Sequence, residues 1–258
     1  MYRNTFLSVM FLACCFNGSL CAQSDAQIYE RTCDAKTYPF SDPSPVATPN
    51  NSYYPYFRFD GFSMQAQEKQ WKMVVLENDY VKLTVTPEIG GKIWGAIDKV
   101  NNKEFVYTNG VVKFRDVAMR GPWTSGGIEF NFGIIGHAPT CSTPIDYLTK
   151  KNVDGSVSCH IFSYEWITRT VWNVEISLPK DKAYFTTHTT WFNQSSIDQP
   201  YYQWMNAGYA TKTGTRFYYP GTYSIGHSGD LHPYPIDEEG RDVSWYDNNN
   251  FGASKSLH

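Results

Sequence analysis

At 258 residues with a net charge of −3 and no basic run, the chain carries no electrostatic footprint for nucleic acid. A composition of 41% hydrophobic and 18% charged residues is that of a globular chain with length for one large core or two small ones. Aromatics are the outlier: 19 Tyr, 16 Phe and 8 Trp make up 17% of the chain, which favours strands and offers flat platforms for the C–H faces of sugar rings.

Residues 1–22 read as a signal peptide. Arg3 supplies a short positive region, and Phe6–Phe16 is an apolar run too short to span a bilayer. Cleavage is expected near Cys21 or Ala22, placing the mature protein in the periplasm, the outer envelope or the medium. Phe11-Leu12-Ala13-Cys14 is an imperfect lipoprotein box, so a lipid anchor on Cys14 is the alternative. Cleavage leaves Cys33, Cys141 and Cys159, an odd count. A turn at Asn152-Val153-Asp154-Gly155 sets Cys159 opposite about Leu148, ~23 Å along the strand from Cys141, too far for a bridge.

Pro39, Pro43, Pro45, Pro49 and Pro55 forbid helix or central strand, so residues 23–70 read as an extended arm preceding a domain over 71–258. Val81, Leu83 and Val85 alternate with Lys82, Thr84 and Thr86 in a half-buried strand stopped by Pro87. Gly90-Gly91 turn the chain into a second strand from Lys92 to Ile97, and Asn101-Asn102 turn it again before Glu104–Thr108. Phe162–Leu178 keeps period two with Phe162, Tyr164, Trp166 and Trp172 on one face, which predicts one long antiparallel strand, bent near the middle. Tyr184–Asn193 and Tyr201–Ala210 continue the theme, and no window sustains a helical period. The pattern predicts an all-β, antiparallel sandwich or barrel. Gly252–His258 carries neither a closing turn nor a polar tail, so the sandwich is expected to be incomplete at its C-terminus.

The candidate site centres on Met119–His137, MRGPWTSGGIEFNFGIIGH. Glycines there let backbone approach a ligand closely. Glu129 and Asn131 point to one face of a strand, as suits bidentate hydrogen bonding to sugar hydroxyls; the other reading is a buried carboxylate paired with Arg120. His137 is either a proton donor or a loop imidazole bonded to backbone. Trp123 and Trp204 can stack on a ring or serve a core, and Asn206 can read a hydroxyl. Glu129 and His137 are therefore the catalytic candidates, and Arg120, Trp123, Asn131, Trp204 and Asn206 the binding ones. His227, Asp230 and His232 have the residue types of a metal site, but the spacing suits a solvated turn better, so neither metal nor cofactor is expected. A glycosidase would need Glu129 plus a partner such as Glu165, Asp230 or one outside this chain.

Leu83–Thr108, LTVTPEIGGKIWGAIDKVNNKEFVYT, resembles the opening hairpins of galactose-mutarotase-like domains. YPYFRFDGF, the central motif and YYQWMNAG together resemble a secreted branch of that superfamily sometimes fused to tetratricopeptide repeats. The resemblance implies a β-supersandwich with a sugar-sized groove on its concave face. It does not carry the epimerase mechanism across, because Ser125 stands where the first histidine would be and Met205 or Asn206 near the second. Two function classes stay open: a carbohydrate-active enzyme, hydrolase or epimerase-like, or a non-catalytic glycan-binding module of a larger protein. The composition sets no oligomeric state.

Overall fold

The computed structural model describes residues 24–41, 54, 61–116, 122–226 and 228–249. The expected leader, most of the proline-rich stretch, Arg120 and His227 lie outside these residues.

Among the described residues the chain is built almost wholly of strands. In order they are β1 (Gln27–Tyr38), β2 (Gln67–Glu77), β3 (Val81–Thr86), β4 (Lys92–Asp98), β5 (Lys103–Val106), β6 (Val112–Lys113), β7 (Arg115–Asp116), β8 (Pro122–Trp123) and β9 (Ile128–Gly133). Then come β10 (Asp146–Lys151), β11 (Val157–Glu165), β12 (Thr170–Leu178), β13 (Thr186–Asn193), β14 (Tyr202–Ala207), β15 (Tyr223–Ile225) and β16 (Leu231–Pro233). An eight-stranded sheet has the order β14-β9-β4-β3-β2-β1-β6, with β5 on β4, and a four-stranded sheet runs β10-β11-β12-β13. Pairing is antiparallel except for the short parallel contact of β1 with β6. The expected all-β antiparallel sandwich is what the chain forms.

The core lies between the two sheets. Val74, Leu76, Leu83, Val85 and Phe130 from the larger sheet meet Cys159, Ile161, Val174 and Ile176 from the smaller. Phe132 stacks on Trp172 at 4.4 Å between centroids, with the rings only 13° from parallel. Alternation along a strand turns the residues between these to the opposite face. On the larger sheet that outer face is not left to water: Trp71, Met73, Ile89, Trp94, Val112 and Phe114 form a second apolar cluster there.

Two sequence expectations change. Gln27–Tyr38 is no arm: it pairs with β2 residue by residue from Gln27↔Glu77 to Thr37↔Gln67, because its prolines begin only at Pro39. Phe162–Leu178 is not one bent strand but parts of β11 and β12 joined by a turn at 166–169, where Arg169 takes φ 55°. The hairpin pairs Ser163 with Trp172 and Ile161 with Val174. Odd residues of β11 therefore share the inner face with even residues of β12, while Trp166 in the turn is 82% exposed. Period two runs on through a four-residue turn, so alternation alone does not reveal the reversal.

Cys159 pairs with Thr149, one residue from the expected register, and Cys33, Cys141 and Cys159 are all free thiols. At the far side the inner face of β14 is left exposed. Met205 lies opposite Phe130 on the inner face yet is 53% exposed.

Packing predicts opposite outcomes for two tryptophans. Trp172→Ala removes a fully buried ring and is expected to cost about 3–5 kcal/mol in urea unfolding, whereas Trp166→Ala is expected to stay within ~0.5 kcal/mol.

Candidate functional site

Strand β9 places the site. Ile128, Phe130 and Phe132 point into the core, so Glu129 and Asn131 point outward, yet they are only 2% and 1% exposed. β14 pairs Asn206 with Glu129 and Trp204 with Asn131, which brings both β14 side chains to the same face, half-buried. The expected grouping of Glu129, Asn131, Trp204 and Asn206 on one face is thus present. The first two lie at its floor rather than at its rim.

The floor is a polar network. Asn131 donates from Nδ2 to Glu129 Oε1 at 2.5 Å and accepts at Oδ1 from the His137 backbone N–H at 3.0 Å. That second bond holds His137 in the left-handed region, φ 61°, and the imidazole meets the Trp204 ring edge-on at 4.9 Å. Asparagine therefore sets both the carboxylate and the loop that carries the histidine. Glu129 Oε2 is buried and makes no hydrogen bond of full geometry among the described residues, although the side chains of Asn206 and Trp123 lie near enough to act on the carboxylate.

Lys92 joins this floor, a residue that sequence reading saw only as the start of a strand. It is 1% exposed, and its Nζ donates to Thr124 O at 2.5 Å and Oγ1 at 3.1 Å. The rings of Trp94 and Trp123 each lie 6.0 Å from the ammonium. A bulge lies here: Thr84 pairs with Gly95 and Val85 with Ile93, leaving Trp94 as the extra residue. Lys92 and Trp94 flank the inward-facing Ile93 and so share the outer face, and the bulge shifts the alternation only for the residues after Trp94.

Gly127 closes the floor between Lys92 and Glu129. Its φ is +67°, and a Cβ there would collide with the Ile93 carbonyl oxygen and press on the Lys92 stem. Its N–H donates to Tyr107 O at 2.8 Å, and its carbonyl accepts from Gly208 N at 2.8 Å. Asn109 donates to Ser125 Oγ at 2.8 Å, tying the loop after β5 to the one before β9.

Electrostatics here are set by burial. Burial raises the Glu129 carboxyl above its ordinary range; the charge of Lys92 and the side chains of Asn131, Asn206 and Trp123 oppose that shift. Burial lowers Lys92 to about 8, opposed by the Glu129 charge. A raised carboxyl beside a lowered ammonium is the kind of pair found at sites of proton transfer, and also in buried structural networks. Burial also raises Cys141 well above the usual thiol range, and the Cys159 thiol to about 12.

The remaining sequence candidates lie elsewhere. Glu165 is in the facing sheet, where Oε2 accepts from Tyr54 at 2.9 Å and Oε1 from the Ile167 N–H at 2.9 Å, so it is not a partner for Glu129. Tyr54 in turn accepts from the Ile134 N–H at 2.9 Å and braces the loop leading to His137. Asp230 bonds to His232 on the exposed hairpin of β15 and β16, and His232 Nδ1 lies 3.3 Å from Glu238. Arg120 falls outside the described residues.

Farther along the same face lies a cavity of about 250 Å³, floored by Trp94, Met73 and Cys33 and edged by Arg31, Glu104 and Thr108. Sequence reading missed it because its walls come from five strands and a loop that are distant in sequence.

Lys92 gives the site a pH signature. Its proton is held by the unfolded chain up to about pH 10.4 but released by the folded one near 8, so the unfolded state binds more protons between these values. Stability from this group therefore rises with pH across that window, by on the order of 3 kcal/mol in total. Urea unfolding of the wild type and Lys92→Met from pH 7 to 10 checks this: the variant is expected to lack that rise.

Among solved structures the chain is similar to a TPR-domain containing protein from Parabacteroides distasonis, with a TM-score of 0.73 and 25% identity over 85% of this chain. The match spans 38% of that protein's length. Residues 48–258 match the family model described as a domain of unknown function, DUF5107. With most of its length inside that match, the chain belongs to the DUF5107 family.

Proposed function

We propose that this chain is an exported, carbohydrate-recognising domain that binds sugar on the outer face of its eight-stranded sheet, as part of a carbohydrate-active enzyme. The observation that carries the reading is Glu129: a buried carboxylate with one oxygen fixed by Asn131 and the other, Oε2, short of a hydrogen bond of full geometry among the described residues, with the side chains of Asn206 and Trp123 near the carboxylate. An unmade bond at a buried charge costs stability, which a ligand hydroxyl at that oxygen restores. Trp123 and Trp204 supply apolar faces beside it, and Asn206 supplies a second polar group.

In an enzyme, Glu129 is the proton-transfer group, its carboxyl raised by burial against the opposing charge of Lys92. His137 is the second candidate, positioned by its backbone bond to Asn131. The reaction is a hydrolysis or an epimerase-like proton transfer, in keeping with the resemblance of Leu83–Thr108 to galactose-mutarotase-like domains. Residues 1–22, with Arg3 and the apolar run after it, support export.

A second reading is a non-catalytic glycan-binding module of a larger protein. The similar Parabacteroides protein favours it, since this chain spans only 38% of that protein, which contains a TPR domain.

Glu129→Gln separates the two, because it keeps the shape of the side chain and removes its proton-transfer capacity. Calorimetric titration with oligosaccharides and a turnover assay are expected to show lost turnover with binding weakened no more than about tenfold. Wild-type binding without turnover supports the module. Binding unchanged in both Glu129→Gln and Trp123→Ala, with the fold intact, places the ligand elsewhere.

A further inference from the structure

The cavity beside Trp94 is distinct from the Glu129 floor, and its lining has its own chemistry. Alternation on β1 turns Arg31, Cys33 and Ala35 to the outer face, where they meet Met73 of β2, Thr84 of β3 and Trp94 of β4. On the same face, Ile97 pairs with Lys82 on one side and Glu104 on the other. The loop carrying Thr108 and Asn109 folds down as the wall. It can approach so closely because Gly95 has no Cβ; one there would collide with Thr108 Oγ1. The bulge and this glycine together set the largely buried Trp94 in the cavity lining beside the Thr108 hydroxyl and the Asn109 amide.

Charge distinguishes this cavity from the first site. Four charged residues line it, Arg31, Asp34, Lys82 and Glu104, and of the two cations Lys82 is engaged with Glu77 at 3.5 Å. Arg31 makes no ion pair among the described residues, although it stands at the cavity edge. A guanidinium is a planar fork of donors that matches a carboxylate bidentately. β1 and β4 are three strand spacings apart, ~14 Å before the side chains reach inward. That gap suits one ring set against the accessible part of Trp94 with its acid group toward Arg31, and Glu104 and Thr108 facing ring hydroxyls from the other end.

We propose that this cavity is a second subsite, adjoining the Glu129 floor across Trp94, that takes a carboxylated sugar ring of the uronic-acid class. The inference rests on the carbohydrate reading and adds the acidic character of the ligand. Together the two sites describe a trough for a chain of at least two rings, one of them acidic.

Cys33 is a reporter inside the cavity. It is half-buried on the floor, while Cys141 and Cys159 are fully buried. The experiment follows Cys33 alkylation by iodoacetamide in the full chain by peptide mass spectrometry, with glucuronate, glucose or acetate present. Glucuronate is expected to slow alkylation of Cys33 at lower concentration than glucose or acetate does. Arg31→Gln is expected to weaken that protection about tenfold or more, and Trp94→Phe to weaken it less. Glu129→Gln is expected to leave it in place, which separates failure of this subsite from failure of the first site. No protection by glucuronate, equal protection by acetate, or protection unchanged in Arg31→Gln overturns the proposal. Loss of protection in Glu129→Gln overturns it too, because the cavity is then not a separate subsite.

Discussion

Strand β9 carries two chemistries back to back. Phe130 and Phe132 close the core against Trp172, and the residues between them, Glu129 and Asn131, must then face outward. A register slip of one residue would put the carboxylate into the apolar core and the phenyl rings on the outer face. The aromatic packing therefore fixes the polar floor, and stability and site share one strand. The same pairing brings Asn206 and Trp204 of β14 into place.

An outward-facing polar group is ordinarily in water, and here it is not. The outer face is roofed by its own apolar cluster, by the loops tied through Asn109 and Ser125, and by the Gly127 turn. Lys92 and Glu129 are held in that dry layer by side-chain and backbone oxygens of Thr124 and by the Asn131 amide. Burial moves the two groups toward neutrality from opposite sides, and their mutual attraction resists it. Such an arrangement is costly as structure alone, which is what motivates the proposal that it serves a ligand.

Much of this was legible in the sequence, for identifiable reasons. Val81–Thr86 and Tyr201–Ala210 announced strands through alternation, while Lys92–Ile97, buried on both faces, was marked by the Gly90-Gly91 turn before it. Glu129 and Asn131 announced a shared face because they are two apart on a strand. The turn at 166–169 was hidden, since alternation passes through it unbroken and the reversal lies in pairing rather than composition. Gln27–Tyr38 read as part of an arm because the prolines beyond it dominated the window, while its own residues pair fully with β2. Lys92 was missed because a lysine at a strand start looks solvated, and the phase of the residues after Trp94 because a bulge shifts it. Arg31 and Glu104 meet at one cavity only after β1 and β5 enter the same sheet.

The central claim is that sugar binds over the outer face, between Trp94, Trp123 and Trp204. The most direct measurement is the set of tryptophan indole N–H resonances in the ¹⁵N-labelled chain, titrated with an oligosaccharide containing glucuronate. The predicted result is that the signals of Trp94, Trp123 and Trp204 move together while that of Trp172, stacked on Phe132 in the core, stays still. Movement confined to Trp166 or Trp245, or no movement at saturating sugar, would contradict it.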